Sequence, residues 1–323
     1  MSRDTNIDAL RLIAAVGVVS LHVGTFPELP RLAVDVLQSF LRWCVPVFLM
    51  ITGYLLADRG RRFPDITVPR IARIASLYGL AFAIYLPIYL YRNGVGDADL
   101  GLILRGPAGH MWYLSALLVA FVVIPAFRQI DAYRPLVAFS AFVLIGYIGI
   151  NYMFSLKHRG FDILLIFRTF IGVPCIMAGV WLRRHGESRF YTLLLLVSAA
   201  LCIAEIFVIK GLGGAARDAQ FLFSTLFMAA GILGATISMK QVLPARLAEM
   251  GRDDSLGIYI YHPIFILLFT FVITKVAGLS PPGTLIWIGA TVLTVCFLFG
   301  SRTISPHLRR IEDGDFRAAS PVD

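Results

Sequence analysis

Charge is what this sequence has least of. Asp, Glu, Lys and Arg make up only 15% of its 323 residues, against about 25% in a soluble domain. Cysteine is equally sparse. Cys44, Cys175, Cys202 and Cys296 all fall in apolar segments without metal-ligand spacing. That pattern implies neither a disulfide framework nor a zinc site, and the four read as small buried hydrophobes. No internal repeat of solenoid length is evident, and no polar stretch is long enough to fold as a separate soluble domain. What remains is apolar: 58% of the residues are hydrophobic and the mean hydropathy is +0.78.

Such a composition describes an all-α polytopic membrane protein. Ten apolar runs are long enough to span a bilayer, over residues 7–26, 38–57, 71–91, 110–127, 135–154, 163–182, 190–209, 221–239, 255–274 and 284–300. A membrane unit over residues 1–303 is expected, followed by a polar, disordered tail over 304–323. Arg11 lies inside the first run and no small-residue cleavage site follows it, so the run reads as an uncleaved span. The net charge of +9 follows topology. With alternate loops assigned to opposite sides, the side bearing the N-terminus carries eighteen basic residues and the other carries eight. The positive-inside rule then places both termini in the cytoplasm and leaves no nucleic-acid surface to explain.

The first run, Ile7 to Phe26, carries Asp8, Arg11 and His22, which a simple anchor would avoid. Arg11 and His22 are eleven residues apart, within about 20° of one helix face, with Asp8 one turn before Arg11 on the same stripe. A carboxylate–guanidinium pair thus precedes an imidazole by roughly 16 Å, two stations along one track. Pro46 and Pro174 are expected to kink the second and sixth runs. Arg59, Arg61 and Arg62 read as cytoplasmic anchors. Arg70 and Arg73, one turn apart behind Pro69, suit either anchoring or a phosphate-rich ligand, since guanidinium pairs phosphate oxygens through two donors. Gly-His-Met-Trp-Tyr-Leu at 109–114 offers His110, Trp112 and Tyr113 at a helix start, either as an interfacial aromatic belt or as a site. Arg168 and Glu205 sit at similar depth on antiparallel neighbours, so a buried ion pair is expected, either a structural staple or part of a substrate cavity. The Gly-, Ala- and Ser-rich eighth run suits close helix packing, and His262 with Pro263 lies inside the ninth.

Together these stretches resemble the acyltransferase-3 family of integral membrane acyltransferases. The resemblance rests on Ile7, Asp8, Leu10, Arg11 and His22, on Val-Pro-Val-Phe-Leu-Met-Ile-Thr-Gly-Tyr-Leu-Leu at 45–56, on Arg70 and Arg73, on the 109–114 run, and on Ser-Leu-Gly-Ile-Tyr-Ile-Tyr-His-Pro at 255–263. It extends to the single-domain members that O-acetylate bacterial surface polysaccharides, of the enterobacterial common antigen O-acetyltransferase type. The resemblance implies a multi-pass protein of the bacterial inner membrane that takes acetyl-coenzyme A, or another acyl-coenzyme A, as donor and requires no metal. The acceptor would be a hydroxyl of a cell-envelope glycan or lipid-linked sugar. Some family members carry a fused hydrolase-like domain that is not seen here, so a second transfer step would need a separate periplasmic partner, or the membrane domain would finish the reaction itself. Arg70, Arg73 and Arg11 would hold the donor, and His22, aided by Arg11 and Asp8, would be the catalytic base or take the acyl group covalently. His110, Trp112, Tyr113, Arg168, Glu205 and His262 would line the acceptor site. A membrane transporter or flippase for a lipid-linked sugar is the alternative, and it should show paired broken helices in corresponding halves of the chain.

The orientation is directly testable. A reporter fused after Asp323 is expected to be active only on the cytoplasmic side, and activity confined to the outer side would reverse the topology.

Overall fold

The computed structural model describes residues 4–24, 26–58, 60–94, 101–157, 160–186, 189–240 and 243–304. The tail expected over 304–323 lies outside them beyond residue 304, as do Arg3, Arg59, Arg159, Arg309, Arg310 and Arg317. Every regular element among the described residues is helical: α1 (Thr5–Val23), α2 (Arg31–Leu41), α3 (Cys44–Leu56), α4 (Val68–Asn93), α5 (Gly101–Arg105), α6 (Trp112–Gln129), α7 (Tyr133–Lys157), α8 (Phe161–Phe170), α9 (Gly172–His185), α10 (Phe190–Gly211), α11 (Phe223–Ser238), α12 (Ala245–Phe271) and α13 (Gly283–Ile304). Nine units among the described residues are long and apolar enough to cross a membrane, with α2–α3 and α8–α9 each counted as one, and the shorter α11 is a tenth apolar helix. The chain is an all-α, multi-pass membrane protein. Large apolar side chains such as Phe142, Ile145, Leu196 and Phe299 are exposed on its outer face, where a bilayer rather than water would be their solvent.

The breaks in the second and sixth spans have one cause. A proline lacks an N–H and its ring clashes with the carbonyl four residues earlier. Pro46 sets that clash at Arg42 and Pro174 sets it at Phe170. The helical hydrogen-bond ladder is interrupted at Arg42–Trp43 and at Ile171 accordingly, while all three residues keep right-handed helical backbone angles. Each pair therefore continues as one interrupted span, and the second span begins at Arg31 instead of residue 38. The two lower halves, α3 and α9, then pack backbone to backbone. A Cβ on Gly53 would stand 2.0 Å from the Ile176 carbonyl oxygen, and one on Gly179 would stand 1.9 Å from that of Met50. Only glycine permits this approach.

The ninth span also differs from expectation. Residues 245–254, read as a polar loop, form the first turns of α12. Helix α12 packs along α1 over most of its length, and a Cβ on Gly251 would meet the Asp8 carbonyl oxygen at 1.8 Å. Helix α13 closes the other side of α1, with Trp287 Nε1 donating to the Val16 carbonyl at 2.9 Å. Glu28, in the turn after α1, accepts from the amides of Gly283 and Thr284 at the start of α13. In the small-residue eighth span, α11, Gly231 lies against Leu195 and Gly234 against the Tyr191 ring of α10, as that composition suggested. Of the cysteines, Cys44, Cys175 and Cys202 are buried, while Cys296 is exposed on α13, which corrects the expectation for that residue.

Arg168 and Glu205 do not pair. Helix α8 packs on α6, α7 and α9, whereas α10 packs on α11 and α2, so the two side chains serve different junctions. Glu205 accepts from the Phe223 amide at 3.1 Å, the Ser224 amide at 3.0 Å, and the hydroxyls of Tyr152 and Ser224. It is an anionic cap on the start of α11, where free amides and the helix dipole favour a carboxylate. The Arg168 guanidinium instead lies over the Trp112 ring, 5.6 Å from its centre. Glu205→Ala is therefore expected to destabilise the protein by about 1–3 kcal/mol, the cost of leaving buried donors unpaired. The double variant Arg168→Glu/Glu205→Arg should not recover it. Thermal unfolding in detergent measures both, and recovery in the swap would restore the pair.

Candidate functional site

Helices α1 and α12 run side by side and present matching polar stripes. On α1 the order is Asp8, Arg11, then His22. On α12 it is Arg252, Ser255, Tyr259 and His262, at spacings of three, four and three that hold one helix face. Both stripes start with charge near the beginning of their helix and end in an imidazole, about 15 Å farther along. As the first span suggested, Arg11 pairs with Asp8 at 3.6 Å.

The charged ends open on a cavity of about 500 Å³ lined by arginines from three helices: Arg11, Arg70 and Arg73, and Arg252. Arg70 is already engaged, donating to the Asp65 carboxylate at 2.8 Å and to its carbonyl. Asp65 also lies 3.8 Å from Arg128. Arg252 forks onto the neighbouring Asp253 at 2.7 and 3.2 Å. Arg73 is exposed and forms no ion pair among the described residues, so the two arginines treated alike in the sequence are unlike in the fold. Deeper in, the cavity wall is apolar except for Thr52, Tyr113, Ser255 and Tyr259. The Ser255 hydroxyl is buried and meets no hydrogen-bond partner among the described residues.

At the far end of both stripes three histidines meet. The His22 ring centre is 4.9 Å from that of His262 and 6.0 Å from that of His110, and His110 and His262 are 5.4 Å apart. Their roles are separable by hydrogen bonding. His22 Nδ1 lies 2.9 Å from the Val18 carbonyl, and His262 Nδ1 lies 2.9 Å from that of Ile258. A carbonyl only accepts, so each Nδ1 carries the proton and each Nε2 keeps the lone pair when the ring is neutral. Both imidazoles are thus held in the tautomer a base requires. Among the described residues no carboxylate stands within ion-pair distance of the three rings. Tyr85 packs on His110 at 4.7 Å and donates to the Ile260 carbonyl at 2.6 Å.

A second cavity, of about 350 Å³, opens on the opposite side of this cluster. His22 and His110 face it together with Tyr85, Tyr89, Arg92 and Asn93. Between the two cavities stand Tyr113 and Tyr259, their ring centres 5.0 Å apart, with the Tyr259 hydroxyl donating to the His110 carbonyl. The two stations on α1 therefore face different chambers with an aromatic partition between them.

The residues singled out in the sequence are distributed accordingly. Arg11, Arg70 and Arg73 line the first chamber, with Asp8 buried behind Arg11, and His22 and His110 line the second. The 109–114 run does not act as one unit. His110 faces the second chamber and Tyr113 the first, while Trp112 lines neither and packs between Arg168 and Phe221. Arg168, Glu205 and His262 also line neither chamber, although the His262 ring packs against His22 and His110 of the second. Sequence reading missed Tyr85, Arg92, Arg252, Ser255 and Tyr259. Three of these stand on α12, and their spacing repeats the stripe already recognised on α1. The signal was present once residues 245–254 are read as helix.

The family model described as an acyltransferase domain, that of the acyltransferase-3 family, matches residues 4–301. A serine/alanine racemase of Enterococcus gallinarum is 23% identical over an alignment covering 92% of this chain and 45% of that protein. An amino-acid racemase of Enterococcus faecalis is 28% identical over 43% of this chain and 21% of its own length. The chain spans less than half the length of these curated relatives. No solved structure matches.

Proposed function

Because the chain belongs to the acyltransferase-3 family of membrane acyltransferases, we propose that it carries an acyl group, acetyl in the simplest case, from cytosolic acyl-coenzyme A to a hydroxyl of a cell-envelope glycan or lipid-linked sugar. The observation that carries this reading is the pair of chambers on either side of the Tyr113–Tyr259 partition, one lined by arginines and the other by histidines. A donor whose phosphates are far from its thioester suits the first. Phosphate oxygens would meet Arg73, Arg70 and Arg252 at the mouth, since guanidinium binds them through paired donors. The pantetheine arm would lie against the apolar wall, where Thr52 and Ser255 offer the few hydrogen bonds its amides need. The thioester then reaches the partition.

The second chamber would receive the acceptor. His22 Nε2, with Nδ1 fixed on Val18, takes the proton from the sugar hydroxyl as that oxygen attacks the thioester carbonyl. Asn93 and Tyr89 supply hydrogen bonds and a ring face suited to a sugar. The inner bacterial membrane is the setting this arrangement implies, with the first chamber facing the cytosol. The racemase activities named for the relatives belong to proteins more than twice as long and are not carried over.

The transporter alternative gains one feature from the fold, since the second and sixth spans are both broken. In a chain of two five-span halves those are not corresponding positions. Neither break contributes a residue to either chamber, whereas transporters place such breaks at their binding site. Acyl transfer accounts for the same residues more fully.

Purified protein given radiolabelled acetyl-coenzyme A and the lipid fraction of its source membrane is expected to release free thiol and label a lipid-linked sugar. His22→Gln should cut that rate at least ~10²-fold, the lower end for removing a general base, with donor KM unchanged. Arg73→Ala should instead raise donor KM, and by more than Arg70→Ala does. A His22→Gln variant with the wild-type rate would remove the base from the account.

A further inference from the structure

One imidazole of the cluster lies off both chambers and is given no role by this reading. His262 is 0% exposed and lines neither chamber. Its Nδ1 is committed to the Ile258 carbonyl, and its Nε2 finds no hydrogen-bond partner among the described residues. A buried polar atom left bare in a helical core calls for an explanation. The ring stands 4.9 Å from His22, centre to centre, tilted by 58°. Two five-membered rings at that separation can bring facing nitrogens within hydrogen-bond reach. In the resting state both Nε2 atoms hold lone pairs, so neither can donate to the other.

That changes once His22 takes a proton. Its Nδ1 is already a donor to Val18, so the proton must sit on Nε2 and the ring becomes a cation inside the membrane. Familiar base assemblies place a carboxylate behind the histidine. Here the groups facing His22 are His110 from the turn before α6 and His262 from α12. Arg42, at the end of α2, adds a like charge within electrostatic range. Of the two imidazoles, His262 is the nearer, and it lies away from the acceptor chamber.

Building on the proposed acyl transfer, we infer that His262 is the proton partner of His22. When the acceptor O–H loses its proton to His22 Nε2, the new N–H is donated to Nε2 of His262, and the two rings share one positive charge. The acceptor oxygen forms the C–O bond, the C–S bond of the thioester breaks, and the shared proton finally passes to the departing thiolate. The products are ester and free coenzyme A thiol, with nothing gained or lost. His262 acts through His22 and touches neither substrate, so it is a positioning residue.

The test compares two substitutions at one site. His262→Phe keeps a ring but removes the acceptor nitrogen, whereas His262→Gln keeps an acceptor oxygen. Both are assayed with radiolabelled acetyl-coenzyme A and the lipid fraction of the source membrane, beside wild type and His22→Gln. His262→Phe is expected to lower turnover about tenfold to a hundredfold at saturating donor, short of the loss from removing the base itself. Its donor KM should stay within about twofold, and His262→Gln should recover most of the rate. Wild-type turnover in the Phe variant would overturn the inference, as would equal loss in both variants, which marks a packing role. Should His262→Phe not fold, the Gln variant decides alone, and a rate nearer to His22→Gln than to wild type overturns it. Wild-type protein that leaves the thioester intact would overturn the acyl-coenzyme A reading and this inference with it. Transfer by wild type and Phe variant alike would overturn the inference alone.

Discussion

The contact on which the rest depends is the backbone approach of α12 to α1 at Gly251. With no side chain there, the helix passes directly over the Asp8 carbonyl oxygen, where a Cβ would stand at 1.8 Å. Packed interiors do not slide by fractions of a turn, so this single point sets the register of two long helices. Register in turn decides which residues meet: Arg252 at the level of the Asp8–Arg11 pair, and His262 at the level of His22. A larger residue at 251 would push the helices apart and misalign both ends of the site at once. The reciprocal glycines of α3 and α9 do for the neighbouring pair what Gly251 does here.

The site is a gradient of polarity laid along those helices. Guanidinium groups occupy the end where water and headgroups can solvate charge, and neutral imidazoles and phenols occupy the interior, where charge is expensive. Several polar atoms of the interior are satisfied locally. Helix carbonyls take the Nδ1 protons of His22 and His262, and the His110 carbonyl takes the hydroxyl of Tyr259. This leaves few nitrogen lone pairs bare, those of His110 and His262 Nε2 among them. Tyr113 and Tyr259 of the first chamber pack ring to ring, and Tyr259 packs on His110 of the second.

Much of this was legible in the sequence because charge is conspicuous against an apolar background. Asp8, Arg11 and His22 declared a polar face on the first helix, and the structure places Arg11 and His22 at the two chambers, with Asp8 paired to Arg11. Pro46 and Pro174 announced the interruptions at Arg42–Trp43 and Ile171. The remainder was hidden for two reasons. Periodicity reports which residues share a helix face but not which helix they meet, so Arg168 and Glu205 were paired by depth when each belongs to another junction. Polarity also misled at residues 245–254, which are charged and yet helical, with Arg252 and Asp253 facing the first chamber and Arg246 and Glu249 exposed. Arg252 was lost with that boundary, and with it the charged start of the stripe that Ser255, Tyr259 and His262 continue.

A structure of the protein bound to a thioether analogue of acetyl-coenzyme A tests the central claim most directly. The two-chamber account predicts the phosphates among Arg73, Arg70 and Arg252, the arm along the apolar wall of the first chamber, and the acyl carbon at the Tyr113–Tyr259 partition within reach of His22. An analogue seated in the second chamber, or one whose acyl end points away from the partition, would contradict it.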